Sequence, residues 1–569
     1  MNKKIFNFCF ILCASFLLTA CSNKFLWLSN ATELSDQTNL NKKIKQPIIH
    51  SAHLSNSWYP QDKNLLNQEL DFYFDLAQKN FKISAKPESV KILIAPHAGI
   101  YFSALCAASV YQTLQKTVRP ELVEGYERCK NTNINKVIIL CPSHTKYFSG
   151  LALPDYDIYK TTLGEIKVNN TSITKLKQNN LFKIFPETHS QEHAIEIQLP
   201  FLQKTIKDFE IVPLIVGEIA EQDYEIIAQN LDDIIDNSTL IVVSSDFTHY
   251  GPNYNYIPFK QDILRSIRFV DSLALNSINK KSFAEFNKII SDTGVTICGQ
   301  NAIKIILKLL ENQKYKNLQS RLACYSISPQ LEQARLKQDK NTLNFNSIKI
   351  NKLYKNIPDN LIQNSVSYLG AIFTSQDLNS LPKENMLTQY EKNALLASAR
   401  DTLQNSFKPP AQKSPDYYLW PICGLGLQQN SGIFVTLNTK SGDLRGCIGR
   451  IISQEPLLKT AVDVSLESAF HDTRFLPLKK EELDNIIINI SILTPPDPID
   501  SYKKIRIGID GIILKKGWAS SVFLPQVAPS FNWDLKTTLE QLSLKAGLDK
   551  DAWQHDCNFE VFQGFEIKE

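Results

Sequence analysis

The sequence predicts an α/β domain with a mainly parallel sheet flanked by helices, followed by an α+β domain. Three observations carry this reading. Four β-rich apolar runs recur at 90–96, 136–142, 209–217 and 239–246, near-continuous rather than alternating, as strands covered on both faces must be. Helical patterns such as 223–235 lie between them, the rhythm of parallel strands joined by crossovers. From 390 onward, strand and helix patterns mix without βαβ order, which points to α+β. A chain of 569 residues has room for roughly two to four domains, and 43% hydrophobic with 21% charged residues suits large buried cores.

Residues 1–20 read as a secretory signal. Lys3 and Lys4 precede an apolar run shorter than the ~20 residues that span a bilayer. The run ends in Leu18-Thr19-Ala20-Cys21, which resembles a bacterial lipobox and so implies cleavage before Cys21 and lipidation of Cys21. Each buried methylene of the added chains contributes ~0.8 kcal/mol to anchoring. Ser22, where Asp would favour the inner membrane, implies a periplasmic-side lipid anchor in the bacterial cell envelope, on the outer membrane rather than the inner. Residues 21–55 are polar and rich in Asn, Ser and Lys, a tether. A net charge of +4, from 62 basic and 58 acidic residues, gives no reason to expect a nucleic-acid partner.

The α/β domain spans 56–375. Its strand at 90–96 stops at Pro96, and His97, Ala98 and Gly99 lead into a run of small residues that reads as a helix. The strand at 136–142 delivers His144 in the same way, and the strand at 239–246 delivers Asp246 and His249. In an open parallel sheet the carboxyl ends of strands share one edge, where ligands bind. The helical pattern at 189–201 places His193 and Glu196 three residues apart on one face. Cys298 sits between β-branched residues and Gly299, ahead of another helix. Taken singly these residues have plain structural readings. A strand-end His can cap or bond, Asp246 can N-cap a helix, and Cys298 can be a small buried hydrophobe. Their joint placement at one edge is what points to a shared site. Segments 117–133 and 329–362 exceed ordinary connection lengths and are expected as surface loops without a part in the chemistry.

Several words in this region resemble the MEMO family, whose fold is similar to that of class III extradiol dioxygenases. They are Pro96-His97-Ala98-Gly99, Pro142-Ser143-His144, Glu192-His193-Ala194-Ile195-Glu196, Ser244-Ser245-Asp246-Phe247-Thr248-His249 and Thr296-Ile297-Cys298-Gly299, with 365–373 closing the domain. The resemblance implies a metal pocket of His97, His144 and Cys298, with His193, Asp246 and His249 nearby. Those three could serve as proton carriers or supporting groups, and Glu196, on the helix face of His193, reads as a ligand-binding residue. A thiolate where the dioxygenases carry a hard carboxylate argues against extradiol cleavage and favours a softer or more covalent site, with iron or copper the preferred cofactor.

A linker at 376–389 leads into the second domain, 390–569. Helix 390–407, strand 432–438, the Gly-bounded Leu444-Arg445-Gly446-Cys447-Ile448-Gly449, helix 456–470 and the alternating strand 485–493 follow in order. Cys447 beside Arg445 reads as a candidate nucleophile assisted by His471 or Asp472, with Arg445 a ligand-binding residue, or else as a buried cysteine in a structural turn. These words, with "HDTRFLPL" and "FLPQVAPSFNW", resemble the AMMECR1 family, which usually carries a small residue in place of His471. The resemblance implies a compact α+β fold.

Together the two resemblances imply a fusion of AmmeMemoRadiSam system proteins B and A, whose further component is a radical SAM protein. The expected function is that of a membrane-tethered, metal-dependent redox enzyme or metal-handling protein. The alternative is a non-catalytic module that binds a peptide or phosphorylated ligand in the strand-end crevice. Cysteines 106, 129, 141, 298, 324, 423, 447 and 557 remain after the leader and Cys21. Their even number permits disulfides in an exported protein, but the spacing gives no framework and leaves free or metal-bound thiols equally open.

Overall fold

The computed structural model describes residues 46–81, 83, 85–115, 133–329, 359–376, 387, 389–409, 427 and 430–569. The leader, Cys21 and most of the tether lie outside the described residues, as do nearly all of the 117–133 and 329–362 segments and most of the linker. No helix among the described residues is long and apolar enough to cross a membrane.

The first domain has strands β1 (Ile49–Ser51), β2 (Val90–Ala95), β3 (Lys136–Pro142), β4 (Leu151–Ala152), β5 (Ile158–Thr161), β6 (Gly164–Val168), β7 (Phe182–Lys183), β8 (Glu210–Val216), β9 (Thr239–Ser244), β10 (His249–Tyr250), β11 (Gln319–Ile327) and β12 (Ser365–Thr374). They form one sheet in the order β1-β5-β6-β8-β3-β9-β2-β12-β10, with β11 also on β12, and β4 joining β8 to β7. Strands β6, β8, β3, β9 and β2 are parallel to one another, whereas β12 runs antiparallel to β2 and to β11. The parallel core is the expected one. β3, β9 and β2 are buried almost throughout, because helices cover both faces.

Adjacent strands β3, β9 and β2 all end at one edge, and this positions the site. Pro96 lacks an N–H and cannot extend the β2 ladder, so the chain turns there. The helix Ile100–Tyr111 that follows is buried on nearly every side. The structure departs from the expected helix at 189–201. Turns precede a four-residue helix, His193–Glu196, and a second helix, Leu199–Thr205, starts anew with Pro200 in its first turn. Glu192 caps the first helix in extended conformation, its side chain accepting the Ala194 amide.

The second domain carries two antiparallel sheets. One is β14-β13-β15-β20, from β13 (Ile433–Thr439), β14 (Leu444–Arg450), β15 (Ile486–Leu493) and β20 (Gly564–Lys568); helices Gln389–Ser406 and Leu457–Phe470 share its apolar core. The other is β16-β19-β17-β18, from β16 (Asp497–Ile499), β17 (Gly511–Lys516), β18 (Ala519–Phe523) and β19 (Asn558–Phe562). Strands and helices alternate without parallel crossovers, as α+β requires. A buried ion pair, Arg321 on β11 with Glu391 on the helix Gln389–Ser406 at 3.1 Å, ties the two domains.

Candidate metal centre and a second-domain cysteine

Two strand ends, those of β2 and β3 on either side of β9, and one loop bring His97, His144 and Cys298 together. One ligand atom from each lies within 4.8 Å of the others. His97 forms the buried floor, Cys298 is partly covered and His144 is exposed, so the cluster opens to solvent on one side.

The hydrogen bonds around His97 fix its tautomer. Ser244 Oγ donates its single hydrogen to the Ala194 carbonyl at 2.7 Å and accepts from Gln198 Nε2 at 2.9 Å. It can therefore only accept from His97 Nδ1, 3.0 Å away, which leaves Nε2 with a free lone pair. That Nε2 faces Cys298 Sγ at 3.1 Å. His144 is held the same way, its Nδ1 on Glu192 Oε1 at 2.8 Å and its amide on Glu192 Oε2 at 2.7 Å. Carboxylate and hydroxyl groups behind Nδ1 orient imidazoles for metal ligation through Nε2.

Electrostatics favour the neutral forms of His97 and Cys298. Burial pushes His97 well below the imidazole range, and neighbouring His144, His193 and His249 push it further. Burial pushes the Cys298 thiol up, and the Asp246 charge adds to this. An arriving cation would have to displace that proton, as metals do at thiol sites. Burial alone would raise Glu192, but its bonds from His144 outweigh burial and hold it below the usual carboxyl range.

The surrounding candidates fall into two groups. His193 stands beside the cluster, with ring centroids 4.3 Å from His144 and 5.3 Å from His97, and burial lowers it to about 4. Asp246 accepts the His97 amide at 2.8 Å, with its other oxygen 4.0 Å from His97 Nε2, and its own amide donates to Cys298 Sγ at 3.1 Å. It is thus part of the cluster's wall and not a helix cap. His249 donates Nδ1–H to the carbonyls of Phe247 and Thr296 at 2.8 and 3.1 Å, which again leaves Nε2 bare. Trp58 and Tyr254 pack on His193 and His249, with centroids 4.7 and 4.9 Å apart.

Glu196 belongs to the other group. It is fully buried and accepts from the amides of His53 and Leu54 at 2.9 and 2.8 Å, and from the hydroxyls of Tyr59 and Tyr159 at 2.5 and 3.2 Å. It anchors the 53–59 segment and does not join the cluster. The carboxylate that serves the cluster is Glu192, which spacing on an assumed helix passes over; its place directly before His193 was the available signal.

In the second domain Cys447 is partly buried on edge strand β14, its Sγ 3.2 Å from Thr436 Oγ1. Arg445 does not serve the thiol. Its guanidinium bonds Glu482 at 2.7 and 3.1 Å. Asp472 accepts the Cys447 amide at 2.8 Å and pairs with Arg474, which also donates to the Cys447 carbonyl at 3.0 Å. Asp472 therefore clamps the strand backbone. His471 is exposed at the end of its helix, with its amide on the Glu467 carbonyl.

Residues 50–338 match the family model described as Memo-like protein, and residues 396–567 match the AMMECR1 model. Among similar proteins, one from Methanosarcina barkeri, Mbar_A1807, is 36% identical over 192 residues, 32% of this chain and 93% of its own length. A Methanothermobacter thermautotrophicus protein is 42% identical over 132 residues, 22% of this chain and 68% of its own length. Protein MEMO1 of Homo sapiens is 27% identical over 272 residues, 46% of this chain and 84% of its own length. A crystal structure of an uncharacterised Pyrococcus horikoshii protein, PH0010, is 33% identical, covering 31% of this chain and 89% of that one, with a TM-score of 0.26.

Proposed function

Because the chain belongs to the Memo-like family and continues into an AMMECR1 domain, we propose that its first domain holds iron or copper and serves redox or metal-handling chemistry at the sheet edge. One observation carries the reading: two imidazoles with Nδ1 engaged and a thiol converge within 4.8 Å, with the His97 Nε2 lone pair aimed at Cys298. The donor set fits the metal. Two nitrogens and a soft sulfur suit iron or copper better than the oxygen-seeking magnesium or calcium. A bound iron or copper ion supplies electron transfer. The protein orients the ligands through Ser244 and Glu192, excludes water below His97, and keeps His193, His249 and Asp246 beside the open face to carry protons.

The reading extends to a lipid anchor at Cys21 on the periplasmic side of the envelope, on the outer membrane, and to cooperation with a radical SAM protein. Both rest on the sequence motifs given above. A second reading is favoured by Trp58 and Tyr254, which wall the crevice with flat apolar surface: a non-catalytic pocket for a peptide or phosphorylated ligand. Metal analysis of the purified full chain separates the two. Stoichiometric iron or copper, lost in Cys298→Ser and His97→Ala, supports the metal centre. Folded, metal-free protein that still takes a peptide overturns it in favour of the second reading.

A further inference from the structure

We propose that Cys106 and Cys324 form an oxidative modification site, at which a disulfide locks the helix Ile100–Tyr111 to strand β11. Their sulfurs lie 2.8 Å apart, and both residues are wholly buried. The pairing is built into the packing. Cys324 lies opposite Gly370 of β12, just past a bulge between Leu322 and Cys324 that sets its register. A Cβ on Gly370 would meet the Cys106 carbonyl at 2.7 Å. The bare glycine thus lets the helix press onto β12 until its cysteine reaches the next strand. Ser326 Oγ at 3.3 Å and the Tyr368 carbonyl at 3.6 Å complete the pocket of Cys106.

The oxidant is an external disulfide, either a low-molecular-weight one or that of a thiol oxidoreductase. One cysteine attacks it as the thiolate, forms a mixed disulfide and releases the first thiol. The second cysteine then attacks the protein sulfur of that mixed disulfide and releases the other thiol. The two protein thiols give up two protons and two electrons, and both pass to the two thiols released. Burial of the pair excludes the oxidant from the folded protein, so the exchange belongs to folding, before the helix closes on the sheet. The same burial then shields the bond from reductants.

The bond would close a loop that contains His144, His193, Asp246, His249 and Cys298. It would also pin the helix that starts three residues after His97. Cross-linking so long a loop removes much entropy from the unfolded chain. This inference does not depend on a metal.

The test refolds reduced, urea-denatured full chain either in a mixture of oxidised and reduced glutathione or in excess dithiol. Thiols are then alkylated in denaturant, and the digest is read by mass spectrometry. The glutathione sample is expected to yield a Cys106–Cys324 linked peptide pair lighter by two hydrogens. Its urea midpoint should lie above that of the dithiol sample, and the difference should vanish in the Cys106→Ala/Cys324→Ala variant. Both cysteines alkylated in the glutathione sample, or either linked to another cysteine, overturns the proposal. The peptide measurement uses the wild-type chain, so poor folding of the variant cannot obscure it.

Discussion

Glu192 grips His144 twice, one carboxylate oxygen on its amide at 2.7 Å and the other on Nδ1 at 2.8 Å. A single side chain therefore sets both the backbone and the ring of the most exposed ligand. Glu192→Gln keeps the size but loses the charge that favours an Nδ1–H donor. Supporting groups of this kind typically change metal affinity 10–100-fold. We expect a loss of that size in a chelator-competition assay, with the far-UV circular dichroism unchanged. Equal affinity in the variant would mean that Glu192 has no part in the metal site.

Glu196, three residues on, should behave in the opposite way. It accepts four hydrogen bonds from the 53–59 segment and Tyr159 in a fully buried place. Glu196→Ala leaves those donors without their acceptor, which costs on the order of 3–5 kcal/mol. Urea unfolding should show that loss, while any folded fraction keeps the affinity of His97, His144 and Cys298 for metal.

The contrast between these two glutamates shows what the sequence can disclose. An apolar run that stops before a His is a local signal. His97, His144 and Asp246 were legible for that reason, and the parallel order of β3, β9 and β2 brings their ends together. Glu192 and Glu196 needed the helix start, which Pro200 and the extended Glu192 backbone displace from any simple periodicity. The partners of Glu196 in the 53–59 segment lie more than 130 positions away, and Cys106 meets Cys324 across 218. Nothing in the spacing of residues encodes such contacts. Arg445 misled for the same reason, since its neighbour along the strand is Cys447 but its neighbour in space is Glu482.

Beneath the loop that carries Asp246 and His249 lies a buried acid, Asp271, on the helix Ile263–Asn279. Its carboxylate accepts from the Thr248 hydroxyl at 2.5 Å and from Tyr325 at 2.7 Å. Burial raises it from 3.8 to about 6, against the pull of its hydroxyl donors Ser367, Thr248 and Tyr325. The folded state thus keeps a proton that the unfolded chain gives up earlier. The stabilisation is full below about pH 4 and is lost as pH rises through about 6. The shift corresponds to about 3 kcal/mol. Unfolding free energies at pH 7.5, 6 and 5 should show wild type gaining on Asp271→Asn as pH falls. Parallel curves for the two proteins would refute the assignment.

In the second domain, the clamp on β14 predicts a division of labour. Asp472→Ala frees the Cys447 amide and Arg474, and should cost about 1–3 kcal/mol while speeding alkylation of Cys447 by iodoacetamide. Arg445→Ala breaks the partly exposed pair with Glu482, worth at most about 1 kcal/mol, and a long bond to the Pro477 carbonyl, and should leave the alkylation rate within about twofold. A large drop in rate for Arg445→Ala would restore the guanidinium as an activator of the thiol.

Gly299 offers a test that touches no ligand. It follows Cys298 and donates its amide to Ser245 Oγ at 3.0 Å. A Cβ there would lie 2.4 Å from Ser245 Cβ and 3.0 Å from the Ser244 carbonyl. Ser244 is the residue that fixes the tautomer of His97, and Ser245 precedes Asp246, so the turn cannot shift without moving the floor of the cluster. Gly299→Ala should therefore push Cys298 away from His97 Nε2 and lower metal affinity at least tenfold, about 1.4 kcal/mol. Overpacking of this kind also costs about 1–3 kcal/mol of stability. Chelator competition on the folded variant separates the two effects, because a purely global loss of stability lowers the folded fraction without changing the affinity of what remains folded.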